Sequence, residues 1–156
     1  NTNIDKSHKY GIELQDRLQI SPRVTGHINY AWTRAIIDRE NDGAGAFNGK
    51  ELPGVSRHSI VVGLNVRVAE HGNLHLSHTW RSSTWAAGDF DNNNVQKQRA
   101  FQSTDVTYRH QLAKHFEMYA GISNLFDRSN GIWVRDDAIY PVNFERTWKL
   151  GARIQF

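Results

Sequence analysis

The stretch GDFDNNN sets Asp89, Asp91 and Asn93 at alternate positions, as at the start of a calcium-binding loop. A helix–loop–helix calcium site would continue with Gly at position 94 and Glu at position 100. The chain has Asn94 and Ala100 there, so the stretch reads as an extended loop tip. Eight histidines offer imidazole ligands, but none has metal-site spacing. His75 and His78 fall on opposite faces of one strand, and His71 lies in a turn. Asp136 and Asp137 are adjacent and point apart, unlike carboxylates that share an acid–base task. Serine and histidine are plentiful, yet no nucleophile motif surrounds any of them. Cysteine is absent, which removes thiolate chemistry and any disulfide framework. No metal site and no enzyme are expected. The formal charge of +3, from 19 basic and 16 acidic residues, is too mild for a nucleic-acid partner.

The elements that carry these residues are strands. YGIELQDRLQI alternates Tyr10, Ile12, Leu14, Leu18 and Ile20 against Gly11, Glu13, Gln15, Arg17 and Gln19. VTGHINYAW sets Val24, Ile28, Tyr30 and Trp32 against Thr25, His27 and Asn29, and HSIVVGLNVRV sets Ile60, Val62, Leu64, Val66 and Val68 against Gly63, Asn65 and Arg67. LHLSHTW, TDVTYRHQL, FEMYAGI and the final WKLGARIQF repeat the pattern, making seven strands with one apolar face each. No run of 18 apolar residues exists, so no transmembrane helix is expected. Hydrophobic content is only 38%, yet the chain holds 17 aromatic rings, five Trp, five Tyr and seven Phe.

Connection lengths sort the strands. In order they are SPR, 39–55, AEHGN, 87–99, AKH and 127–144, alternately short and long. In an up-and-down meander this places every short turn at one end and every long loop at the other, the layout of an outer-membrane barrel. A soluble sandwich with Greek-key crossings has no reason for such sorting. The aromatic residues band accordingly. Tyr10, Trp32, Trp80 and Trp148 lie six to ten residues up from the short-turn end, and Tyr108, Phe116 and Phe156 lie within four residues of it. Two such belts match the girdles at the two membrane interfaces, with a lumen-like face of Glu13, Arg17, His27, Asn65, Arg67 and Arg81 opposite. Asp16, His78 and His110 fall on nominally lipid-facing rows, so either a bulge shifts the register or neighbours shield them.

The terminal KLGARIQF resembles the C-terminal signal by which outer-membrane barrels are recognised for assembly, with Lys149, Gly151, Ile154 and Phe156 in the pattern positions. Single-chain bacterial barrels have even strand numbers from eight upward. Seven strands, starting at Asn1 without an initiator Met, are therefore expected to be the C-terminal portion of something larger. GISNLFDRS, followed by DDAIYPVNFERTWKLGARIQF, resembles the end of a TonB-dependent outer-membrane receptor, through Asn124, Leu125, Phe126 and Asp127, then Tyr140 and Pro141, Arg146 and a final Phe. NIDKSHKYGIEL, with Gly11, Ile12 and Glu13, and GKELPGVSRH, with Leu52, Pro53 and His58, are similar to earlier segments of that family in the same order.

The resemblance implies an all-β, antiparallel up-and-down meander whose seven strands, residues 1–156, form the C-terminal segment of a 22-stranded transmembrane barrel, with the plug domain and earlier strands absent. At about 22 residues per strand and connection, such a barrel needs roughly 490 residues besides the plug. It further implies an outer-membrane receptor of a Gram-negative bacterium that takes up a scarce nutrient chelate, most often a ferric siderophore. TonB would energise uptake through the missing N-terminal region. The iron chelate would be cargo, with no covalently bound cofactor. Outer-membrane assembly machinery, lipid and lipopolysaccharide would be the other partners. Ligand candidates under this resemblance are Phe47, Arg81, Trp85, Arg99, Trp133 and Arg135, in or beside the long loops or facing the lumen. Arg forms bidentate forks with carboxylate oxygens, and aromatic rings cover flat chelates; each residue also fits simple loop packing. Two other readings stay open. A passive pore or autotransporter barrel would lack the plug, and a soluble β-domain that binds carbohydrate or protein would bury its apolar faces internally.

Overall fold

The computed structural model describes residues 4–40, 45–68, 70–93, 97–130, 132–135, 138–141 and 145–155. Its strands are β1 (Ile4–Ser21), β2 (Val24–Glu40), β3 (His58–Arg67), β4 (Gly72–Arg81), β5 (Phe101–Ala113), β6 (Phe116–Ser123), β7 (Ile132–Arg135), β8 (Ala138–Pro141) and β9 (Thr147–Ile154). Seven of them pair antiparallel in the order β1-β2-β3-β4-β5-β6-β9, an open meander whose edges are β1 and β9. No helix occurs among the described residues.

Because side chains alternate across a strand, the register fixes two faces. Ile12, Trp32 and His58 share a row; so do Tyr30, Ile60 and Trp80, then Leu74 with Tyr108, and Ile122 with Trp148. The opposite face carries Glu13, Arg17, His27, Asn65, His75, Arg81, Arg109 and Lys149. Almost nothing covers the apolar face. Leu14, Leu18, Trp148 and Leu150 are 61%, 63%, 70% and 78% exposed, whereas Ala35, Ile37 and Ala86 are the buried hydrophobic residues among those described. A soluble domain of this size would hide such rows in a core. An exposed apolar face this continuous belongs against a hydrophobic surround, and the expectation of internally buried apolar faces does not hold.

The structure departs from the sequence reading in two places and decides a third point that the sequence left open. First, β1 and β2 run for 18 and 17 residues, well beyond the Tyr10–Ile20 and Val24–Trp32 stretches read from alternation. A tilted strand crosses a bilayer in about 9–11 residues, so this hairpin projects past the apolar band. Its upper segment sets the consecutive Ala35, Ile36 and Ile37, the last fully buried, among polar residues and so offers no period of two to read. Second, the connection 127–144, read as a loop, contains β7 and β8, which pair only with each other. Third, the polar residues on the apolar face are not explained by a bulge. Pairing is continuous through Asp16, His78 and His110, with shifts only near Ile4–Ser7, Gln19–Ser21 and Gln111–Ala113. Neighbours satisfy them instead. His78 Nδ1 lies 2.8 Å from Thr104 Oγ1, His110 Nδ1 lies 3.0 Å from the Tyr108 hydroxyl, and Asp16 Oδ1 accepts the Arg17 N–H at 2.8 Å.

Candidate functional site

The long connections lie at the end where β2 outruns β3. Residues 49–57 line the exposed upper edge of β2, with Ile37 N–H donating to the Lys50 carbonyl, Leu52 N–H to that of Ala35 and Thr33 N–H to that of Arg57. These bonds occupy backbone groups that would otherwise be left open. They also place Glu51 where the connection between β4 and β5 meets it.

Glu51 joins the two loops. Its Oε1 accepts from Arg57 Nε at 2.8 Å, and its Oε2 accepts from the Trp85 indole N–H at 3.0 Å. Its backbone N–H donates to Asn92 Oδ1 at 2.6 Å, while Asn92 Nδ2 donates to the Glu51 carbonyl at 2.9 Å. Burial alone would raise the carboxyl pKa. The hydrogen bonds from Arg57 and Trp85, with the charges of Arg57 and Arg34, outweigh it and hold the group below the ordinary glutamate value. Lys97 Nζ sits 3.9 Å over the Trp85 ring, and Phe47 packs on Phe90 with centroids 5.7 Å apart.

The ligand candidates are therefore distributed as follows. Phe47 and Trp85 are half-buried in the contact between the two loops, and the Trp85 N–H is taken by Glu51. Arg81 is exposed on the polar face, with its guanidinium 5.4 Å from the Phe101 ring centroid. Arg99 is exposed just before β5. Trp133 and Arg135 belong to β7, which follows the Asn124 turn in the chain, and their side chains lie outside the described residues. Of the four positions expected from sequence to form an assembly signal, Lys149 and Gly151 lie on the polar face of β9 and Ile154 on its apolar face; Phe156 lies outside the described residues.

Sequence reasoning noted Asn124 only as part of a resemblance, and the structure supplies its physical role. Asn124 is 3% exposed and has φ 52°, a left-handed conformation that asparagine tolerates better than most residues. Its backbone N–H donates to Asp105 Oδ1 at 2.8 Å, its Nδ2 donates to the Arg128 carbonyl, and its Oδ1 accepts the Arg128 N–H, both at 3.0 Å. Asp127, φ 51°, accepts the Arg146 N–H at 2.8 Å. This turn ends β6 and aims the chain toward β9. Beside it, the polar face opens into a recess of about 550 Å³ lined by Arg81, Phe101, Ser103, Asp105, Glu145 and Lys149, among others. Glu51, Asn92 and Asp105 were not singled out from sequence, because the contacts that define them are distant in the chain: Trp85 and Asn92 lie 34 and 41 residues from Glu51, and Asn124 lies 19 residues from Asp105. No group of three or more metal-ligating side chains occurs among the described residues.

An open meander with one apolar face, one polar face and long connections at one end is a wall segment of an outer-membrane-type barrel. The family model for TonB dependent receptor-like β-barrels matches residues 1–125, and the chain belongs to that family. Solved structures agree. The ferric citrate transporter FecA in its unliganded form superimposes with a TM-score of 0.80 at 19% identity. The ferric yersiniabactin uptake receptor FyuA from Yersinia pestis gives 0.73 at 21%, and the copper transporter OprC gives 0.71 at 14%. Each match covers 96% of this chain and 24% of the other, so the chain spans about a quarter of those transporters' length. Identities this low carry the fold alone. Sequence comparison with curated proteins gives no match. The family is one of Gram-negative outer-membrane transporters and not of enzymes.

Proposed function

We propose that the chain is the C-terminal wall of an outer-membrane receptor that imports a scarce nutrient chelate, most often in such proteins a ferric siderophore, with energy from TonB. The complete molecule is a 22-stranded barrel with a plug upstream of residue 1. The observation that carries this reading is the two-faced, seven-stranded meander with its loops gathered at one end, in a family of such receptors. The similar proteins are transporters or receptors of ferric citrate, ferric yersiniabactin and copper, which supports a metal chelate here. Arg81, Arg99, Phe47 and Trp85, with Trp133 and Arg135 from β7, are the residues of this segment proposed to face or frame the ligand. The assembly-signal positions of β9 are proposed to be read by the outer-membrane assembly machinery, and the apolar face to meet lipid and lipopolysaccharide.

The test is uptake of radioactive iron by iron-starved cells that express the full-length protein, offered a panel of ferric chelates, with and without a functional TonB. Saturable, TonB-dependent uptake of at least one chelate is expected. Unselective, TonB-independent passage of small solutes would identify a passive pore instead.

A further inference from the structure

The apolar face is not flat. Leu18, Gly26, Leu64 and Leu76 share one row across β1 to β4, and the glycine leaves that row without a side chain on β2. A methyl group there would stand 3.1 Å from Ile20 Cδ1 and 3.6 Å from Leu64 Cδ2. The result is a groove of about 450 Å³, lined by Leu18, Ile20, Ile28, Val62, Leu64 and Leu76, with Asp16, His78 and Thr104 at its upper end. Glycine inside a strand is one mark of close approach by a ligand. Leu18, Ile20, Ile28, Val62 and Leu64 are all exposed, so no described part of the chain fills the groove.

Its depth and its ends say what fits. The groove starts beside the short turn between β1 and β2 and rises to the row of Asp16, Ile28, Val62 and His78. From Ile20 to Asp16 is about 13 Å along the strand at the usual rise, less than half of a hydrocarbon core of about 30 Å. Short turns mark the periplasmic end of such barrels. The groove therefore lies in the periplasmic leaflet, which is built of glycerophospholipid, with lipopolysaccharide on the other side. Arg23 stands at its foot, in the turn that leads to Gly26. It is exposed, and among the described residues no carboxylate forms an ion pair with it. The turn is held in place, since the Arg23 N–H donates to Ser21 Oγ at 3.3 Å and the Arg23 carbonyl accepts the Arg67 N–H at 2.8 Å. A free guanidinium below an apolar channel suits a phosphate ester with a hydrocarbon tail, because arginine grips phosphate oxygens in a bidentate fork. Asp16 at the upper end repels a phosphate, which sets the direction: headgroup at the turn, tail toward the midplane.

We infer that this groove is a site for one glycerophospholipid of the periplasmic leaflet, with an acyl chain along Leu18, Ile28, Val62 and Leu64 and its phosphate on Arg23; the inference rests on the reading above that the apolar face meets lipid. The purified full-length receptor, in mild detergent, is given phosphatidylglycerol with a photoactivatable diazirine in one acyl chain, and labelled residues are mapped by peptide mass spectrometry. Saturable labelling of 18–28 and 60–64 is expected, displaced by unlabelled phosphatidylglycerol and not by lipid A. Val62→Trp fills the groove and should lower that labelling at least fivefold. Leu112→Trp, an exposed position elsewhere on the apolar face, should leave it within twofold. Both swaps keep an apolar side chain toward lipid, and compact gel mobility confirms that each variant is folded. Arg23→Gln, in a turn outside the groove, should weaken the apparent affinity at least threefold. Labelling spread evenly over the apolar face, or unchanged in Val62→Trp or in Arg23→Gln, would overturn the proposal. So would stronger displacement by lipid A, or a co-purifying protein cross-linked at these residues in place of the lipid. No labelling anywhere on the apolar face of the folded receptor would bring down the lipid-facing reading itself and this one with it.

Discussion

Tyr119 lies over Gly151, its direct partner in the pairing of β6 with β9, so closely that a methyl group on Gly151 would overlap the ring. His27 lies over Gly63 on the neighbouring strand in the same way and stacks parallel to His75, with ring centroids 5.9 Å apart. Both glycines are on the polar face, and each gives a large ring a place flat against the wall. Gly151 is also one of the residues of the terminal assembly pattern. Its first requirement is therefore visible in the fold, as room for Tyr119.

Replacing Gly151 with Ala should cost about 1–3 kcal/mol, the usual range for overpacking. The measurement is the temperature at which the folded full-length barrel loses its compact gel mobility. Tyr119→Ala in the same molecule should restore most of the loss. If Gly151→Ala is equally harmful with Tyr119 removed, the glycine acts through assembly recognition and not through this contact.

Glu51→Gln should loosen the contact between the two long connections. It removes charge-assisted bonds with Arg57 and Trp85, of a kind worth about 1.5–3 kcal/mol each when buried; the half-open position places the effect at the lower end. Faster protease cleavage within 82–100 on intact cells is the expected readout, with barrel stability unchanged.

The same carboxylate sets a pH dependence. Its pKa is lowered in the folded state, so its stabilisation is complete above the ordinary glutamate value of about 4.3 and is lost as pH falls through the lower folded value. Cleavage within 82–100 should accelerate below about pH 4 in the native receptor, while the Glu51→Gln variant should cleave fast at every pH. A native protein equally protected at pH 3 and pH 7 would contradict this assignment.

Asn124→Ala removes the side-chain bonds to Arg128 and strains a left-handed residue. A loss of about 1–3 kcal/mol is expected from the buried partners left unpaired, read as a lower yield of folded barrel. Asn124→Gly, which keeps the conformation but not the bonds, should fall between the two.

His78 faces the apolar side with Thr104 as its partner. His78→Arg should destabilise the barrel by about 2–4 kcal/mol if the site lies near the bilayer midplane, whereas His78→Leu should be neutral or stabilising. Urea unfolding in lipid bilayers distinguishes them, and a harmless His78→Arg would place this row outside the hydrocarbon.

Much of this was legible in the chain because the period of a strand is two, and a period of two assigns every residue to a face without knowledge of its partners. Trp32, Ile60, Leu76 and Ile122 declared one face, and Arg17, Asn65 and Arg81 the other. The alternation of short and long connections declared which end was which. Three kinds of feature could not be read this way. The upper parts of β1 and β2 are strands because they pair with each other, not because they alternate. Polar residues on the apolar face, such as His78, are tolerated because a neighbouring strand supplies a hydroxyl. Glu51, Trp85 and Asn92, like Asp105 with Asn124, meet across 19 to 41 residues of chain. Local sequence determines which face a side chain takes. Which distant groups then stand within 3 Å of each other follows from strand register and loop docking, and only the tertiary structure decides that.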